Sequence, residues 1–176
     1  MNFCIQCGSS DIIFDIPDGD NRQRHSCKKC GYIHYQNPRI ITGCIIHREG
    51  KVLLAKRAIE PRYGKWNLPA GFLEQNEDVT TGAARESLEE TGFEVKVSHL
   101  QTIYSVPHVS QVFMLFVAEI ITKKFDNPSE TLEMEFYNEK DIPWDEIAFS
   151  SNTFAIKKFF ENNNTSNKVY VGQKPH

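Results

Sequence analysis

Apolar and β-branched residues in this 176-residue chain gather into short runs separated by polar or glycine-containing breaks. Residues 39–47 (RIITGCIIH) and 51–57 (KVLLAKR) are two such runs, joined around Glu49-Gly50, the signature of a strand pair closed by a tight turn. Residues 94–105 and 111–121 (QVFMLFVAEII), on either side of Pro107, predict two further strands, and residues 132–137 another. Helices are expected over 78–91 and 152–161, the second opened by Ser150-Ser151 as caps, with a short turn near 141–147. Residues 162–167 read as loop, and the last dozen carry no assignable pattern. Upstream, Pro17-Asp18-Gly19-Asp20 reads as a turn and Asn37-Pro38 as a boundary. The pattern divides the chain into a small unit over 1–37, a main unit over 38–155, and a helix end and tail over 156–176. Strands interleaved with helices, without internal repeats, predict an α/β (α+β) protein with a mixed sheet.

Composition narrows this picture. The hydrophobic fraction is 40%, and no apolar run approaches the ~18 residues of a spanning helix, which excludes a membrane span. The first ten residues lack the basic start and apolar stretch of a secretory signal, so a cytoplasmic protein with reduced thiols is expected. Twenty Lys and Arg against 23 Asp and Glu give a net charge of −3, and no basic block stands out, so nucleic acid is not an expected partner.

Four of the five cysteines, Cys4, Cys7, Cys27 and Cys30, lie in the first 30 residues as two C-x2-C pairs with 19 residues between. That spacing matches a four-thiolate zinc site, and Gly8 and Gly31 directly after each pair suit tight knuckles. Two disulfides are the alternative, which reducing conditions disfavour. With all ligands cysteine, no position is left for water, so the ion's role is structural. Cys44, within an apolar run, reads as a small core residue.

The stretch 78–92 (DVTTGAARESLEETG) places Glu86, Glu89 and Glu90 at i, i+3 and i+4, on one helix face, with Ala84 and Leu88 pointing roughly the other way, towards the sheet. Such crowding is unfavourable, the more so because Glu89 and Glu90 occupy the last turn, where the helix dipole disfavours anions. The stripe is either a solvated acidic face bridged by Arg85 to Glu89 or a grip for a cation. Leu68-Pro69-Ala70-Gly71, just upstream, forms a rigid turn whose carbonyls can share a cation with those carboxylates, and oxygen-only ligands suit magnesium or manganese. Gly92 is placed as a left-handed helix stop.

Gly71, five residues, Glu77, seven residues, Arg85-Glu86, two residues, Glu89-Glu90, one residue and Gly92-Phe93 resemble the Nudix box, G-x5-E-x7-R-E-U-x-E-E-x-G-U with U apolar. Ser87 departs from the first U position, which implies looser packing of that helix. With the cysteine ribbon, Ile16-Pro17-Asp18-Gly19-Asp20, Tyr35-Gln36-Asn37-Pro38, Trp66-Asn67-Leu68-Pro69-Ala70-Gly71 and Ile147-Ala148-Phe149-Ser150-Ser151, the chain is similar to zinc-ribbon Nudix hydrolases, the plant organellar type that cleaves FAD and ADP-ribose above all. The resemblance implies a mixed sheet between helices, preceded by a zinc ribbon, and a magnesium-dependent pyrophosphatase that releases AMP from such a nucleotide. It implies that Glu86, Glu89, Glu90 and the Ala70 carbonyl hold the magnesium or manganese ions, and that Glu77 orients Arg85. The general base is Glu86 within the box or Glu133 beyond it. An adenosine diphosphate needs a slot for its ring and cations for its phosphates, for which Tyr63, Trp66, Arg57 and Arg62 are the candidates, with His108 a further loop residue able to approach a ligand. Trp66 beside Leu68 has a second reading as a core anchor, and Arg57 as a solvated strand end. Relatives of this kind often form homodimers. An NADH pyrophosphatase is the nearest alternative, but the S-Q-P-W-P-F-P-x-S array of that subfamily is replaced at 93–109 by FEVKVSHLQTIYSVPHV. A third reading is a non-catalytic nucleotide sensor whose ribbon contacts a partner through Arg22, Arg24, Lys28 and Lys29.

Overall fold

A computed structural model describes residues 1–126, 128–162 and 168–174. Its contacts divide the chain into two units, Met1–Asn37 and Pro38–His176. The first is a three-stranded antiparallel sheet of β1 (Ile12–Asp15), β2 (Arg24–Cys27) and β3 (Ile33–His34), in that order. The expected turn after β1 is closed by the Asp20 N–H donating to the Pro17 carbonyl at 3.0 Å.

The second unit contains β4 (Arg39–Arg48), β5 (Lys51–Arg57), β6 (Trp66–Asn67), β7 (Ala70–Phe72), α1 (Val79–Thr91), β8 (Phe93–Val106), β9 (Gln111–Lys123), β10 (Thr131–Tyr137), α2 (Ser150–Glu161) and β11 (Tyr170–Gln173). The sheet runs β10-β5-β4-β9-β8-β11, with β4 parallel to β9 and β11 parallel to β8 among otherwise antiparallel pairs. Glu49 and Gly50, both at positive φ, make the two-residue turn that sets His47 opposite Val52.

Both faces of the sheet are covered, which explains why its central strands read as continuous apolar runs. Ile45, Val52, Leu54, Leu115 and Val117 pack on one side with Ala155, Ile156 and Phe159 of α2. Their strand neighbours Cys44, Ile46, Leu53, Phe116 and Ala118 pack on the other with Ala83 of α1. The sheet is therefore held between helices, as the resemblance implies.

β4 has a divided edge. Its first half pairs with β7, Ile41 opposite Phe72 and Gly43 opposite Ala70, while its far end pairs with β5. A side chain at Gly43 would lie 2.2 Å from the Pro69 carbonyl oxygen, so glycine there lets the Leu68–Gly71 chain close on the sheet. That segment, expected as a turn, continues as a short strand, β7, and brings Gly71 against the Glu86 carboxylate of α1.

Four other expectations are corrected. Ser150 and Ser151 do not cap α2: both lie inside the helix, Phe149 is the N-cap residue, and no side chain caps it. The segment after α2 is more than a tail, because β11 extends the sheet along β8. On α1 the buried residues are Gly82, Ala83, Ser87, Glu90 and Thr91; Ala84 packs against the core as expected, while Leu88 is half-exposed. Ser87 does not loosen the helix; it is fully buried, and its hydroxyl donates to the Ala83 carbonyl at 2.7 Å. The loop expected over 162–167 falls, beyond Asn162, outside the described residues.

Candidate active site

The site is built on α1. Asp78 caps the helix, accepting from the N–H groups of Thr80 and Thr81 at 2.9 Å each. Bonds from the Thr80 and Thr81 hydroxyls, and then these N–H bonds, hold the Asp78 carboxyl below its ordinary value. Gly92, at φ 73°, ends the helix in the left-handed conformation, its N–H donating to the Leu88 carbonyl. A side chain there would also lie 2.2 Å from the Phe125 carbonyl oxygen.

Between these caps Arg85 organises the acids. Its Nε donates to Glu77 Oε1 at 2.9 Å and its Nη2 to Glu77 Oε2 at 3.0 Å, a two-pronged pair. Nη1 reaches Glu86 Oε1 at 2.7 Å and Glu89 Oε2 at 3.0 Å, and Nη2 also reaches the Phe72 carbonyl at 3.1 Å. Glu77 accepts a further bond from the Glu74 N–H. The guanidinium holds the Glu77 carboxyl below its usual range, and Glu77 in turn raises Arg85.

Glu86 and Glu90 are shifted the other way. Burial raises the Glu86 carboxyl despite Arg85. Glu90, only 6% exposed, is pushed up to about 8 by burial and then by the neighbouring Glu86 charge, against an Asn67 Nδ2 bond at 3.3 Å and the Arg57 charge. The acidic face is thus not uniformly solvated, and Glu90 lacks a cation in direct contact among the described residues. A side chain at Gly71 would lie 2.3 Å from the Glu86 carboxylate, so glycine admits the carboxylate against the β7 backbone.

A cavity of about 860 Å³ opens over this face. Ala70, Gly71, Arg85, Glu86, Glu89 and Glu90 line it, as do Arg57, Arg62 and His108. Tyr63, Trp66 and Glu133 do not. Trp66 is a core residue, edge-on to Tyr137 at 5.4 Å, and Tyr63 is exposed. Glu133 pairs with Lys56 at 3.3 Å. A bulge between Thr131 and Glu133 sets Glu133 opposite Lys56, whose ammonium lies over the Trp66 ring. Glu130, three residues earlier, lines the cavity, and its charge helps raise both Glu86 and Glu90. Glu130, Asn67 and the α2 start at Phe149–Ser151 have no site role in the sequence reading; Asn67 and Phe149–Ser151 lie within two of the motifs that carry the resemblance, and Glu130 stands at the head of the same acidic run as Glu133.

In the ribbon, the sulfurs of Cys4, Cys7, Cys27 and Cys30 lie within 4.8 Å of one another. The Cys4–Cys30 and Cys7–Cys27 separations are both 3.7 Å, too long for disulfides. Four thiolates ~2.3 Å from a central ion stand about 3.8 Å apart, so the set fits tetrahedral zinc. Cys44 is fully buried, and burial pushes its thiol up to about 11, in keeping with a core residue.

The fold and the arginine-braced acidic helix define a class of enzyme, and comparison places the chain in it. A family model described as NUDIX domain matches residues 37–156, and one described as Nudix N-terminal, a zinc ribbon, matches residues 2–36. The chain belongs to the NUDIX family, hydrolases acting on pyrophosphate bonds. It is 33% identical over 118 residues to an ADP-ribose pyrophosphatase of Methanocaldococcus jannaschii, covering 64% of this chain and 69% of that protein. It is 32% identical over 150 residues to the NAD-capped RNA hydrolase NudC of Vibrio parahaemolyticus, covering 81% of this chain but only 53% of that protein. A crystal structure of a NUDIX hydrolase from Nitrosomonas europaea is 46% identical, covers 99% of each chain and superposes with a TM-score of 0.91.

Proposed function

We propose that this chain is a magnesium- or manganese-dependent pyrophosphatase that cleaves the diphosphate of an adenine nucleotide such as ADP-ribose or FAD and releases AMP. The observation that carries this reading is the convergence of Glu86, Glu89 and Glu90 on one cavity, with Arg85 bracing the first two and Glu90 buried with no cation in direct contact among the described residues. Glu86, Glu89, Glu90 and the Ala70 carbonyl would hold the cations. When bound, such ions neutralise charge on a diphosphate and acidify an attacking water. Glu77 fixes Arg85, and Arg85 fixes Glu86 and Glu89, so the stripe is preorganised. Arg57 and Arg62 line the cavity and are the cations assigned to the phosphates. For a base outside the box, Glu130 replaces Glu133, with Glu86 the candidate inside. The ribbon cysteines hold a structural zinc ion.

Similarity to the archaeal ADP-ribose pyrophosphatase favours ADP-ribose among the substrates, and similarity to NudC supports an NAD-type dinucleotide as the second reading. A purified-protein assay with magnesium and ADP-ribose, FAD or NADH, read by product identity, separates them. AMP release from ADP-ribose or FAD is expected, and Glu86→Gln should reduce it by at least about a hundredfold while the protein stays folded. Parental rates in that variant, or no hydrolysis of any of the three, would overturn the reading.

A further inference from the structure

Helix α2 begins at the cavity wall without the features that normally finish a helix. Its N-cap residue, Phe149, has no side-chain oxygen, its first turn carries no acid, and no side chain caps it. The N–H groups of Ser150 and Ser151 are among those a helix leaves unpaired, and they donate to no acceptor among the described residues. Ser151 lines the same cavity, is 1% exposed, and has a hydroxyl with no hydrogen-bond partner. A buried orphan hydroxyl costs stability that alanine would not, so its retention calls for a ligand. Two contacts place this helix start beside the acids. The Ala148 N–H donates to the Trp66 carbonyl at 2.8 Å, next to the Asn67 that bonds Glu90. The Arg57 guanidinium lies 5.2 Å over the Phe149 ring and is close enough to Glu90 to favour its charged form.

We propose that the N-terminus of α2, the Ser151 hydroxyl and the Arg57 guanidinium form a phosphate seat for the substrate's diphosphate, next to the carboxylate stripe. The seat deepens the pyrophosphatase reading and rests on it. Unpaired N–H groups and the positive end of the helix dipole favour a phosphate oxygen. The hydroxyl adds one donor at a fixed position. Cations on the glutamates and donors from α2 would then grip the same diphosphate from two separate elements.

The test is Ser151→Ala, titrated calorimetrically with inorganic pyrophosphate at fixed magnesium, alongside magnesium alone and thermal unfolding. Loss of one hydrogen bond to a charged oxygen should weaken pyrophosphate about tenfold. Magnesium affinity should stay at the wild-type value and the melting temperature should hold or rise, since no native partner is lost. A hydroxyl with a merely structural role would instead lower the melting temperature and leave pyrophosphate binding unchanged. Pyrophosphate affinity within twofold of wild type would overturn the seat. If wild type releases AMP normally while Ser151→Ala binds pyrophosphate as before, the seat alone fails and the pyrophosphatase reading stands.

Discussion

Glu90 shows how one residue's position sets a measurable property of the protein. Its carboxyl is raised from 4.5 to about 8 by burial first, so the folded protein holds a proton there that the unfolded chain releases. Stability from this group is therefore full below about pH 4.5 and falls as pH rises towards 8. Thermal unfolding in chelator should show that decline. Magnesium should raise the melting temperature more at pH 8 than at pH 5, because the ion must displace the proton. A magnesium effect independent of pH would contradict this placement of the charge. Gly71→Ala tests the neighbouring contact. Its methyl group would occupy the space of the Glu86 carboxylate, and kcat/KM should fall on the order of a hundredfold through displacement of that group.

Among the elements, α1 depends on its cap. Asp78 is held below its usual value of 3.8, first by the Thr80 hydroxyl and then by the Thr81 hydroxyl. Its contribution is present above that value and lost as pH falls below it. Asp78→Ala should lower the melting temperature at pH 7, with the difference from wild type closing towards pH 2. In α2, Ile156 is fully buried against the sheet, so Ile156→Ala should cost about 2–5 kcal/mol in urea unfolding. The elements that carry this core were legible in the sequence because both sheet faces are buried, which writes β4, β5 and β9 as apolar runs. β6 and β7 were not, since two or three residues carry no period. β11 escaped because its four residues, YVGQ, do not set apolar against polar as they alternate, with Val171 75% exposed. The box spacing gave the acidic stripe but not its burial, because Asn67 and Thr131, which bond Glu90, come from outside the helix. The bulge in β10 had no local signature either, so Glu133 and Glu130 could not be told apart.

For the whole molecule, the proposed function divides chemistry between two clusters of opposite kind. Soft thiolates in the ribbon suit zinc, and hard carboxylates on α1 suit magnesium or manganese. The wild-type protein should carry one zinc ion per chain by elemental analysis. Cys27→Ser should lose it together with ribbon stability, and retention of zinc by that variant would contradict the four-thiolate site. Among the described residues no helix is long and apolar enough to cross a membrane.

The central claim is that the acids on α1 are tolerated because they hold divalent cations. Manganese binding followed by the electron paramagnetic resonance signal of the free ion tests it without relying on any substrate. Wild type should deplete that signal, and the double variant Glu86→Gln, Glu90→Gln should leave it intact while its circular dichroism is unchanged. Equal manganese uptake by the two proteins would contradict the account.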